Sequence, residues 1–118
     1  MKSKVAIVRT APQTAVADVR RVMRLAGVGE VLDPSATTIL KNNLSWHLMY
    51  PSANTTPWQL EGTIKALKER GFKIVGEFSC KGYSDWIILK LVGGLNKGRP
   101  DKRNLERAAE FAKGLMRF

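Results

Sequence analysis

The chain has 118 residues, the size of one ordinary domain, and it carries a formal net charge of +10. Hydrophobic residues make up 44% and charged residues 25%, which is enough apolar material for a core and excludes a disordered tail. The apolar runs are far shorter than the about 18 residues of a membrane span. No signal-like segment opens the chain, so we expect a cytoplasmic protein, and its positive charge predicts attraction to polyanions.

The first half of the chain alternates between strand and helix patterns. Residues 4–8 (KVAIV) form a continuous β-branched apolar run, which predicts a buried strand. Apolar residues then recur every three or four positions over residues 15–26, which predicts a helix that ends at the glycine after it. Asp33 and Pro34 predict a turn, and the apolar run 44–50 (LSWHLMY) predicts another buried strand.

The second half opens on the clearest helix start in the sequence. Thr56 can act as the N-cap, Pro57 occupies the first helical position and Gln59 stands three residues after the cap, which together predict a capping box. Two further strands are predicted over residues 72–78 (FKIVGEF) and 86–92 (WIILKLV).

A last helix is predicted after Asp101, which can cap it, with an apolar stripe that starts at Leu105. The alternation of strand and helix patterns predicts one α/β domain over residues 1–118. The expected architecture is a three-layer, Rossmann-like sandwich with a largely parallel sheet of four or five strands and three helices.

Three segments of the last third agree with a known family in their loop residues as well as their apolar spacing. They are residues 76–83 (GEFSCKGY), 89–101 (LKLVGGLNKGRPD) and 105–115 (LERAAEFAKGL). This part of the chain resembles the C-terminal end of a bacterial and archaeal flavodoxin family. The resemblance implies a flavodoxin-like sandwich in which this end is mainly structural, while flavin is held by an earlier phosphate loop and by loops that flank its ring.

The first part of the chain is similar to a different family. Residues 4–10 (KVAIVRT) and 31–67 (VLDPSATTILKNNLSWHLMYPSANTTPWQLEGTIKAL) resemble the uncharacterised DUF362 proteins, whose chains are much longer. The two resemblances meet at a seam near residues 69–74. We therefore expect a chimeric, engineered or truncated protein without catalytic activity of its own.

The first candidate site is a loop that precedes the predicted helix start. Ser52, Asn54, Thr55 and Thr56 resemble the Ser/Thr-rich phosphate loop of flavodoxins, and hydroxyls and backbone N–H groups at a helix start favour a phosphate. This supports an alternative function as an electron-transfer-like module that binds flavin mononucleotide (FMN). Against it, Ala53 stands where glycine would allow close approach, and Thr56 has a purely structural role available as a cap.

The second candidate site is basic. Lys97, Arg99, Lys102 and Arg103 lie in and after a Gly/Pro loop at a predicted helix start, where they could hold phosphate or nucleic acid. This supports a second alternative, a nucleic-acid-binding module. The structural interpretation is that Asp101 caps the helix and that the loop is only a connection.

The remaining charge and chemistry give no further site. Residues 1–71 and 72–118 each contain ten Lys and Arg against five Asp and Glu, so the positive charge is evenly spread. His47 and Cys80 share no motif, no metal-ligand spacing occurs, and no catalytic, metal or cofactor site is expected. Unmatched edge strands at the seam favour a homodimer through an edge strand or a swapped element.

Overall fold

The computed structural model describes residues 4–44, 53–84 and 90–116. The chain divides into two compact units, Met1–Lys73 and Ile74–Phe118. Each unit is described by itself below.

Helices dominate the described parts of both units. The first unit contains α1 (Ala15–Leu25), α2 (Val28–Val31) and α3 (Pro57–Glu69), and the second contains α4 (Lys102–Leu115). Of the helices in the described ranges, none is both long and apolar enough to cross a membrane.

The predicted flavodoxin-like α/β sandwich is wrong, because the described residues form no sheet. Pairing between strand-like segments is limited there to two isolated antiparallel bridges, Leu44 with Asn54 and Ser84 with Leu95. A sheet needs a ladder of hydrogen bonds between neighbouring strands, and a single bridge supplies one step of such a ladder. The described chain consists instead of helices joined by irregular segments.

The physical reason is that a β-prone sequence becomes a strand only where a neighbour pairs with it. Residues 4–8 and 72–78 have the predicted composition, but within the described ranges they join no ladder. Ile7 is 88% exposed, so the first run is not the buried strand that its apolar character predicted. Most of the other two predicted strands, residues 44–50 and 86–92, lies outside the described residues.

In the first unit, α1 packs against α3 at a glycine. Gly62 is buried, and a Cβ atom placed on it would lie 2.7 Å from the Cβ of Val19 and 2.9 Å from the carbonyl oxygen of Val16. Carbon atoms do not approach that closely, so any larger residue would force the two helices apart. The absence of a side chain at residue 62 therefore sets the distance between α1 and α3.

Both predicted helix caps are confirmed. The Gln59 N–H donates to the Thr56 hydroxyl (3.3 Å) and the Thr56 N–H donates to the Gln59 side-chain oxygen (2.8 Å), which completes a capping box. At α4 the Asn104 N–H donates to the Asp101 carboxylate (2.9 Å), and the Asp101 N–H donates to the Asn104 side-chain oxygen (3.1 Å). These bonds satisfy N–H groups that a helix start leaves without partners.

The turn predicted at Asp33 and Pro34 is also confirmed. The Ala36 N–H donates to the Asp33 carbonyl (3.0 Å), and the Asp33 carboxylate accepts from the Ser35 N–H (2.9 Å) and hydroxyl (2.8 Å). The bonds from the Ser35 backbone and then from its side chain hold the pKa of Asp33 below its ordinary value.

Two aromatic rings contact each other in the second unit. Phe78 and Phe111 stack with their centroids 5.7 Å apart, and the guanidinium of Arg107 lies 6.0 Å from the Phe78 ring centroid. Of the apolar stripe predicted from Leu105 onward, Leu105 is 60% exposed, whereas Ala108 and Leu115 are half-buried. The aromatic contact of α4 is made by Phe111, which the predicted stripe did not include.

We expect Gly62→Ala to lower the free energy of unfolding by about 1–3 kcal/mol, because the added methyl overpacks the contact between α1 and α3. Urea denaturation followed by circular dichroism measures this change. Gly114→Ala is the matched control, since Gly114 also lies in a helix but has open space around it. Alanine there should be neutral or stabilising by up to about 1 kcal/mol, and equal effects of the two substitutions would contradict the packing argument.

Candidate anion-binding sites

The predicted phosphate loop lies in the first unit, where its polar groups bond to a neighbouring segment of the chain. The Thr55 N–H donates to the Asn43 carbonyl (2.7 Å), and the Asn43 N–H donates to the Thr55 hydroxyl (2.9 Å). The Asn43 side-chain amide donates to the Ala53 carbonyl (2.6 Å). Asn54 is buried, and Ser52 lies outside the described residues.

Thr56 is the most enclosed residue of this loop, with 1% of its surface exposed. Its hydroxyl accepts from the Gln59 N–H and donates to the Gln59 side-chain oxygen (2.9 Å). The hydroxyls of Thr55 and Thr56, which a phosphate would need, thus have partners within the chain. Binding of FMN by this loop stays a prediction of the sequence.

The Gly/Pro loop that carries Lys97 and Arg99, here called the basic loop, lies in the second unit. Backbone hydrogen bonds connect its ends to residues 83 and 84. The Tyr83 N–H donates to the Arg99 carbonyl (3.0 Å), while Ser84 and Leu95 exchange two N–H to carbonyl bonds of 3.0 and 2.7 Å. The loop leads directly into the capped start of α4. Its backbone, and with it the spacing of its basic residues, is therefore held in place.

Arg99 differs from the other basic residues of this loop. Its guanidinium forms an ion pair with the Asp101 carboxylate and donates to the side-chain oxygen of Asn104 (3.0 Å). The charge of Arg99 is thus compensated, and the Asp101 carboxylate itself occupies the N-cap of α4. Arg99 connects the loop to the helix start, and its guanidinium is already in contact with a carboxylate, although its side chain is 41% exposed.

Like Arg99, the other three predicted residues, Lys97, Lys102 and Arg103, are exposed. The Lys102 Nζ lies 3.9 Å from the Glu106 Oε1, and the two side chains are 91% and 60% exposed. Ion pairs this exposed contribute little to the free energy of unfolding. Lys97 and Arg103 make no ion pair with any described residue. The predicted cluster thus separates into one structural arginine and three cations that face water.

A third arrangement, which the sequence did not reveal, is a cavity of about 200 Å³ in the first unit. We call it the arginine pocket, because Arg20, Arg24 and Arg70 all line it. Arg20 and Arg24 lie on α1, whereas Arg70 is the C-cap of α3. Arg20 and Arg24 fall within the helix predicted over residues 15–26, but nothing in the sequence places Arg70 beside them.

The end of α3 shapes one side of this pocket. The Gly71 N–H donates to the Lys68 carbonyl (3.0 Å) and the Phe72 N–H donates to the Leu67 carbonyl (3.2 Å), and Gly71 adopts φ of 94°. This pattern is a Schellman motif, in which a left-handed glycine ends the helix. It places Arg70, Leu67 and Phe72 around the same cavity.

The parts of the chain that the structure describes contain few other groups of the kind that catalyse reactions or bind metals. Cys80 is exposed and forms no disulfide there, and His47 lies outside those parts. No group of three or more His, Cys, Asp or Glu in the described ranges is arranged to hold a metal ion.

Comparison with known proteins finds one partial likeness. Over 51 residues the chain is 51% identical to an uncharacterized protein of Methanocaldococcus jannaschii. The match covers 43% of this chain and 34% of that protein, so the chain spans about a third of the curated relative that it matches. No protein-family model matches the chain. No solved structure matches it. The flavodoxin and DUF362 resemblances stay predictions.

We expect Thr56→Ala to lower the free energy of unfolding by about 1 kcal/mol, because it removes the oxygen that caps α3. Thr56→Ser keeps that oxygen and should retain most of the stability. Thermal unfolding of both variants followed by circular dichroism tests this, and equal losses for the two would show that the cap is not what Thr56 contributes.

Proposed function

We propose that the chain is a basic binding module, without catalytic activity of its own, that attaches to the phosphate backbone of nucleic acids. The observation that carries this proposal is the group of exposed cations Lys97, Lys102 and Arg103 on a hydrogen-bonded loop and helix start. The hydrogen bonds of the loop and of the helix start fix the backbone positions of these residues. Few carboxylates lie beside them for an external polyanion to displace.

The charge balance of the whole chain supports an anionic partner. The net charge is +10, yet only five ion pairs connect the described residues. All five involve side chains that are partly or largely exposed, so most of the positive charge stays open to solvent and to ligands. A field of this sign attracts polyanions and speeds their association.

The type of cation favours the nucleic-acid backbone over the bases. Two of the three cations are lysines, which are flexible point charges, and contacts with phosphate carry no sequence information. Each phosphate that a cation neutralises releases counterions from the nucleic acid, which provides the free energy of binding. We therefore infer binding that tolerates any sequence and depends strongly on salt.

We propose a structural role, and no contact with phosphate, for Arg99. Because its guanidinium contacts Asp101 and Asn104, we assign it to the support of the loop, with no phosphate of its own. Its replacement would alter the geometry of the loop, whereas replacement of Lys102 or Arg103 would remove a contact.

We also propose, following the sequence, that the chain is cytoplasmic and that it joins parts of two families. The boundary between the compact units, after Lys73, falls within the range 69–74 where the two resemblances meet. This coincidence supports a chain assembled from two pieces.

The test is the salt dependence of binding to a short fluorescent DNA duplex, measured by anisotropy. We expect the affinity of the unmodified chain to fall steeply with salt. The triple variant K97A/K102A/R103A should bind more weakly, with the slope of log K against log salt reduced in magnitude by about 2 to 3, because each phosphate contact contributes about 0.9.

The matched control is K41A/K68A/K73A, which removes the same charge from other exposed positions. This control should keep most of the slope. If both triple variants lose affinity equally, the loop is not the contact. If the unmodified chain binds DNA without salt dependence, the proposed function is wrong.

A further inference from the structure

We propose that the arginine pocket is a binding site for a small organic anion, in which a carboxylate is attached to a compact apolar body. The site lies within the first unit and is independent of the basic loop of the second unit. It rests on two features of the cavity: its apolar lining and its guanidinium groups without a carboxylate partner.

Apolar side chains supply much of the lining. Met23 of α1, Leu67 of α3 and Phe72 after the Schellman motif all border the cavity. Apolar surface of this kind binds apolar parts of a ligand, since their transfer out of water is favourable. A bare inorganic ion would make no use of it.

The charge at the pocket is positive even though two glutamates also line it. Glu69 is paired with Arg20, and Glu30 lies 3.6 Å from the amine of Lys4. Among the described residues, Arg24 and Arg70 have no carboxylate partner. The pocket therefore offers two guanidinium groups whose charge a ligand can neutralise.

Arg20 has an unsatisfied donor. One terminal nitrogen of its guanidinium contacts Glu69, but its Nε is buried and has no hydrogen-bond partner in the described chain. A buried donor without an acceptor is unfavourable and is uncommon in folded proteins. Because Nε itself is enclosed by the protein, we assign it no contact with a ligand in the pocket.

Arg70 is held at the cavity by a glycine. Its guanidinium donates to the carbonyl of Gly29, and a Cβ atom at residue 29 would overlap that guanidinium. Gly29 thus leaves the space that Arg70 occupies. The carbonyl is a neutral acceptor, so this bond orients Arg70 without cancelling its charge.

These features together define the ligand class. Guanidinium groups match the planar carboxylate and bind it with two parallel hydrogen bonds. A cavity of about 200 Å³ admits a compact molecule. The apolar lining then selects a carboxylate with an aromatic or branched aliphatic body over acetate or a free phosphate.

The test is a titration of the full chain with benzoate, followed by ¹H–¹⁵N correlation NMR. We expect shifts at the amides of α1, α2 and the end of α3. Acetate carries the charge alone and benzyl alcohol carries the ring alone, so each should bind at least about tenfold more weakly than benzoate.

Substitutions then locate the site. Arg24→Gln and Arg70→Gln should each weaken benzoate binding by about tenfold or more, because each removes a charged hydrogen-bond donor. Gly29→Ala should weaken it as well, since the methyl displaces Arg70 but leaves its charge in the protein. The spectrum of each variant shows whether it is folded. If Arg24→Gln does not fold, Arg24→Lys replaces it in the test, because lysine keeps the charge but lacks the planar guanidinium.

Arg21→Gln is the matched control, because Arg21 is exposed on the same helix and does not line the pocket. It should leave the benzoate affinity unchanged. The proposal is overturned if Arg21→Gln weakens binding as much as Arg24→Gln, if acetate binds as tightly as benzoate, or if benzoate causes no shifts around the pocket.

Discussion

Helices α1 and α3 approach each other closely at Gly62, and the arginine pocket depends on this contact. The approach brings the last turn of α1 beside the end of α3, where the arginine pocket lies. It also joins two segments that are separated by more than thirty residues, so it is a tertiary contact and not a local preference. A helix pair of this kind supplies the packing that short helices need, since they are marginal when isolated.

Hydrogen bonds at helix starts are the other main source of order. The side chains of Asn54, Thr56 and Asn104 are buried, whereas no apolar side chain of the described residues is fully buried. Thr56 and Asn104 belong to the capping boxes of α3 and α4, so polar groups are enclosed where they satisfy the backbone. In both units, buried polar side chains therefore lie at or beside a capped helix start.

Features that depend on neighbours in the sequence could be predicted, and features that depend on distant partners could not. The caps at Thr56 and Asp101 and the turn at Asp33 need groups within a few residues, and all were predicted. The strand at residues 4–8 needed a pairing partner that its own composition does not specify, and that prediction is wrong. Arg70 was missed for the same reason, because it meets Gly29 only through the packing of α3 on α1.

The net positive charge does not show which cations can bind an anion, because that depends on the surroundings of each cation. Along the sequence the excess is uniform, and Arg99 and Arg103 look equivalent. In the structure Arg99 contacts Asp101 and Asn104, whereas Arg103 is exposed and makes no ion pair with any described residue. Arg24 and Arg70 differ from both, because they border a concave apolar cavity where a charge interacts more strongly than it does in open water. Exposed cations on a loop suit a polymer that is bound at many points, while guanidinium groups around a cavity suit one small anion. The two kinds of binding that we propose therefore follow from where each cation lies and not from the net charge.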